Sequence, residues 1–109
     1  MSTSILLTLC TVPDRDRAMN LAEKLVDSGL AACVNITAPI TSVYRWEGKR
    51  EMADEVLLLI KTTAGQYAAL ESAIRTLHPY ELPEILAVPV EQGLQGYLDW
   101  VERCTTTRS

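Results

Sequence analysis

One histidine, His78, and three cysteines, Cys10, Cys33 and Cys104, are the side chains best suited to soft-ligand chemistry in this 109-residue sequence. Thiolate sulfur and imidazole nitrogen are good donors for copper and zinc. Cys10 closes the apolar run that starts at Ile5, and His78 opens the segment His78-Pro79-Tyr80-Glu81-Leu82-Pro83-Glu84. If the fold joins the two segments, Cys10 and His78 would form a copper or zinc site, and Glu81 or Glu84 would add carboxylate oxygen. Two soft ligands alone make a weak, open site, since a closed structural site takes four. Each residue also has a structural reading. His78 follows a helical pattern and would sit favourably at the helix C-terminus, and Cys10 would be an inert buried strand residue, as would Cys33.

The three cysteines are odd in number, widely spaced and without a CxxC pair. That reads as reduced thiols in a cytoplasmic protein. The apolar run after Met1-Ser2-Thr3-Ser4 lacks a basic flank and is too short for a signal peptide, and no stretch is long enough for a membrane span. The net charge of −4 argues against a general grip on nucleic acid or an anionic membrane. One His without a Ser/His/Asp order, and no paired-carboxylate motif, leave little for general acid–base catalysis, so no enzyme activity is expected. Arg15 and Arg17 fall in a capped helix start without the glycines of a phosphate-binding loop.

Ile5 to Thr11 reads as a buried strand. Thr11-Val12-Pro13-Asp14 reads as a helix start capped by Thr. Ala18, Leu21, Ala22, Leu25 and Val26 mark one helix face, and Gly29 ends it as a left-handed residue. Ala31 to Ile36 and Ile40 to Trp46 read as one long edge strand bent at Pro39. Glu47-Gly48-Lys49 is a turn, and Glu51 to Thr62 returns as a central strand with five straight apolar residues, Val56 to Ile60. Ala64 to Leu77 is a second helix, Ile85 to Val90 an edge strand containing Pro89, and Leu94, Tyr97, Leu98 and Val101 mark a C-terminal helix. Thr105 to Ser109 is a polar tail expected to fray.

The order β-α-β-β-α-β-α over one domain, 1–109, predicts an α+β, ferredoxin-like βαββαβ sandwich with an extra C-terminal helix. Tracing strand directions in that topology puts Cys10 to Asp14, Trp46 to Lys49 and His78 to Glu84 on one rim. Hydrophobic residues make up 48% of the chain, more than so small a body needs for its own core, and a subunit interface would use the excess. Tyr44 and Trp46, on a hairpin projecting beyond the sheet, are the predicted interface residues. Edge strands pairing between subunits would also protect those edges. Lys61, after the buried run, is a candidate for lining an inter-subunit cleft.

Several segments, in this order, closely resemble the CutA divalent-cation-tolerance family: Cys10-Thr11-Val12-Pro13-Asp14, Gly29-Leu30-Ala31-Ala32-Cys33-Val34-Asn35, Ser42 to Lys49, Ile60-Lys61-Thr62, His78 to Glu84 and Tyr97-Leu98-Asp99-Trp100. The resemblance implies a ferredoxin-like homotrimer with the architecture of PII signal-transduction proteins, and a role in tolerance of copper and other divalent cations. It also implies a copper site, made in some members from a Cys at the end of the first strand and two consecutive His before Pro-Tyr. Here Cys10 and His78 match, while Leu77 stands where the first His would be. The rival reading is a PII-like regulatory trimer that binds a small ligand in an inter-subunit cleft and signals to a protein partner.

Overall fold

The apolar runs set the sheet. In the computed structural model, which describes residues 4–105, β1 (Ile5–Val12) and β3 (Lys49–Thr63) are the central strands. β2 (Cys33–Trp46) and β4 (Ile85–Pro89) are the edges, in the order β2-β3-β1-β4 with every pair antiparallel. α1 (Arg15–Asp27) and α2 (Tyr67–Leu77, entered through a 3-10 turn at Ala64–Gln66) pack on one face, and α3 (Gln95–Thr105) ends the described chain. The proline-bearing strands are the edges, where a missing ladder donor costs least. β2 is continuous through Pro39, and the register slips between Ile36 and Pro39 as a bulge.

Alternation along the strands separates two unequal faces. Cys10, Leu58 and Ile60 turn to the helices and join Leu21, Leu25, Leu70 and Ile74 in the main core. The opposite face carries Leu7, Leu9, Leu57 and Leu59, with Leu86 and Val88 of β4 nearly half exposed. α3 covers one end of it, where Val101 and Leu98 pack on Ile5 and Ala32.

Two helix boundaries differ from the sequence reading. Thr11 and Val12 complete the β1 ladder opposite Leu57 and Val56, so Asp14, not Thr11, caps α1. Its carboxylate accepts from the Arg17 amide at 2.8 Å and pairs with the Arg17 guanidinium at 2.7 Å. Gly29 takes a φ of +75° after α1, as the left-handed terminus requires. At the far end, Thr105 is buried in α3, where its hydroxyl donates to the Val101 carbonyl. It therefore does not fray, and the rest of the expected tail, 106–109, lies outside the described residues.

β1 stops at Val12 while β2 and β3 run on, pairing from Pro39/Val56 to Trp46/Lys49. At a strand rise of about 3.3 Å per residue the hairpin overshoots the sheet by roughly 23 Å. Its two-residue turn, Glu47-Gly48, has positive φ at both positions (49° and 80°), which matches the twist of a type I′ hairpin. The overshoot exposes Val43 (59%) and Met52 (68%).

Candidate functional site

The predicted rim is built, with one change. The hairpin turn lies far beyond Cys10, but the strand leading to it, Ser42 to Trp46, runs beside the segment Pro79 to Glu84. Between them is a groove of about 800 Å³, floored by Thr11 and Glu55. Tyr44, Arg45 and Trp46 form one wall, and Tyr80, Glu81 and Glu84 lie on the other.

His78 terminates α2, its amide donating to the Ile74 carbonyl at 2.8 Å. Its ring does not cap the helix. Nε2 lies 2.6 Å from the Thr11 carbonyl oxygen, and Nδ1 is 3.1 Å from the Tyr80 amide nitrogen. An amide N–H only donates, so Nδ1 accepts and Nε2–H donates to Thr11. The ring is thus a neutral tie between α2, β1 and the Pro79–Glu84 segment, with both nitrogens occupied and only 8% of the residue exposed. The Tyr80 ring lies against it, tilted by 55° with ring centroids 4.8 Å apart.

Cys10 is fully buried in the main core, paired in register with Leu58 and Ile85. Desolvation pushes its thiol pKa up to about 12, and the negative charges of Glu84 and Glu55 push in the same direction. At neutral pH the sulfur is therefore a protonated thiol held in a negative field. Cys10 and His78 are brought to one end of the sheet as expected, but neither presents a free donor in this arrangement. Among the described residues, no three His, Cys, Asp or Glu side chains are grouped to hold a metal ion.

Sequence reasoning missed the pair that anchors the groove. Glu55 is 6% exposed, and its Oε2 accepts from the Tyr80 hydroxyl at 3.1 Å. Burial raises the Tyr80 pKa to about 12, with the Glu55 hydrogen bond and charge adding to it. The signal was local: Glu55 directly abuts the Val56–Ile60 run, where a solvated carboxylate is out of place. Lys61 is not on this groove. It lies six positions along β3 from Glu55, or roughly 20 Å, and it sits instead beside Asn35 and Cys33. Tyr44 and Trp46 are each 44% exposed on the groove wall.

Residues 6–104 match the family model described as CutA1 divalent ion tolerance protein. The chain belongs to the CutA1 family. The Divalent-cation tolerance protein CutA of Thermus thermophilus is 44% identical over 99 residues, which cover 91% of this chain and 96% of that one. The human Protein CutA is 43% identical over 106 residues, covering 97% of this chain but 59% of its own, so the chain spans about three fifths of that longer relative. The crystal structure of CutA1 from Oryza sativa superposes with a TM-score of 0.94 at 36% identity, covering 98% of both chains. The four-stranded antiparallel sheet with three helices is the CutA1 fold, and membership supports a role in divalent metal-ion tolerance. No helix among the described residues is long and apolar enough to cross a membrane.

Proposed function

We propose that this CutA1 family member works as a cytoplasmic homotrimer, PII-like in architecture, that binds copper or a similar divalent cation weakly at the Cys10/His78 end of the sheet. The observation that carries the cation reading is the field at Cys10: Glu84 and Glu55 both disfavour a thiolate there, and a cation reverses that balance. Binding would expel the thiol proton and release His78 Nδ1 from the Tyr80 amide, and both costs make the site weak. Glu84 or Glu81 supplies oxygen, and a neighbouring subunit supplies what one chain with Leu77 in place of a second histidine lacks. Calorimetric titration of copper into the wild type, Cys10→Ser and His78→Ala tests this, since unchanged affinity in both variants removes the site.

The trimer reading rests on the bare sheet face and on the hairpin. Leu86, Val88, Val43 and Met52 expose apolar surface that a subunit contact would bury, with Tyr44 and Trp46 as its aromatic anchors. The cytoplasmic reading rests on Cys10, Cys33 and Cys104 all being free thiols. A non-enzymatic role is supported by the single histidine having both ring nitrogens taken up by backbone groups. The groove favours the second reading, a regulatory trimer that takes a small ligand, because it is large enough for an organic molecule and combines aromatic and carboxylate walls. A thermal-shift screen with metals and with nucleotides separates the two.

A further inference from the structure

At the end of the sheet away from the groove, a second cluster takes no part in the cation reading. Cys33 opens β2 directly opposite Lys61 of β3 in the ladder, so both side chains leave the sheet on the same face, the one away from α1 and α2. Lys61 Nζ lies 3.8 Å from Cys33 Sγ and also donates to Asn35 Oδ1. Asn35 Nδ2 is 3.9 Å from the same sulfur. Tyr97 of α3 closes the cluster, its pKa raised by burial and by the charge of and hydrogen bond to Cys33.

The three cysteines differ in what surrounds them. Cys10 is sealed in the core. Cys104 is exposed, and its thiol makes no hydrogen bond among the described residues. Cys33 is half-buried, and its nearest reactive neighbour is a primary amine on the adjoining strand rather than a second thiol. A sulfenic acid formed there has an amine within one rotamer change as its resolving nucleophile, as other sulfenic acids use a thiol or a backbone nitrogen.

We propose that Cys33 and Lys61 form a reversible, oxidant-dependent covalent link between β2 and β3. Hydrogen peroxide first oxidises the thiol. The sulfur lone pair attacks the O–O bond, an S–O bond forms, and water leaves, which converts Cys33 to its sulfenic acid. Lys61, having given a proton to solvent, then attacks the sulfur. An S–N bond forms, the S–O bond breaks, and the departing hydroxide leaves as water with a proton from nitrogen. One peroxide is reduced to two waters, and the chain loses two hydrogens. A thiol reductant cleaves the S–N bond by exchange and restores both side chains. The link would rivet the edge strand to its neighbour beside α3.

The test is hydrogen peroxide treatment of the full chain in a Cys104→Ser background, read by intact mass and tryptic mapping. The expected product is lighter by two hydrogens, resists trypsin at Lys61, yields a joined Cys33–Lys61 peptide pair, and reverts with dithiothreitol. Cys33→Ser abolishes it. Lys61→Arg leaves a Cys33 sulfenic acid that dimedone captures without a link. Circular dichroism of both variants verifies that they fold. A Cys33 dimedone adduct with Lys61 still cleavable in the parent, or no oxidation at Cys33 at all, overturns the proposal.

Discussion

His78 Nε2 sits 2.6 Å from the carbonyl oxygen of Thr11, so the residue that ends α2 is tied by its ring to the next-to-last residue of β1. The other nitrogen takes the Tyr80 amide, and the one imidazole therefore positions the whole Pro79–Glu84 wall of the groove. Removing the ring leaves a buried carbonyl and an amide without their partners. We expect His78→Ala to destabilise the chain by about 2–3 kcal/mol, measured by urea unfolding.

The Tyr80–Glu55 pair is the second tie across the groove. Tyr80→Phe keeps the ring but leaves a buried carboxylate without its hydroxyl donor. Its expected cost is about 1–2 kcal/mol in the same assay, given that Tyr80 is itself partly exposed. Glu55→Gln, which accepts the same hydrogen bond without the charge, should cost less.

Alkaline pH should weaken the fold through Cys10. Its thiol titrates near 9.0 when unfolded and near 12 in the folded chain. The stabilisation is complete below about pH 9 and declines as pH rises toward 12, because the unfolded state loses its proton first, by up to about 1.4 kcal/mol per pH unit. Melting temperatures followed from neutral pH to about pH 11 should fall for the wild type and fall less for Cys10→Ala.

Much of this arrangement was legible in the residues. The proline positions marked β2 and β4 as edges, and the unbroken Val56–Ile60 run marked β3 as central, because burial on both sides and a missing ladder donor leave plain traces in sequence. The cap of α1 was misplaced because Thr11 and Asp14 both suit that role, and only the β1–β3 ladder, which is a long-range contact, decides between them. The roles of His78 and Glu55 were not legible either. His78 is satisfied by a backbone carbonyl 67 residues away and Glu55 by a hydroxyl 25 residues on, and backbone carbonyls carry no residue-type signal. Cys33, read as a core residue, is instead half-buried beside Lys61, since it opens its strand on the face away from α1 and α2, where only α3 lies over it.

The projecting hairpin and the bare sheet face predict self-association. Light scattering on a sizing column should give three times the chain mass. Replacing both Tyr44 and Trp46 by Ala should shift the chain toward smaller species without altering its far-ultraviolet circular dichroism, because both residues lie outside the core. A monomer for the unaltered chain would contradict the trimer.

Anomalous diffraction from a copper-soaked crystal locates the cation itself. A copper peak is expected within bonding distance of Cys10 Sγ and a carboxylate oxygen of Glu84 or Glu81, with the His78 ring turned away from the Tyr80 amide. Copper found only at exposed sites such as Cys104, with the His78 ring still bonded to Thr11 and Tyr80, would contradict it.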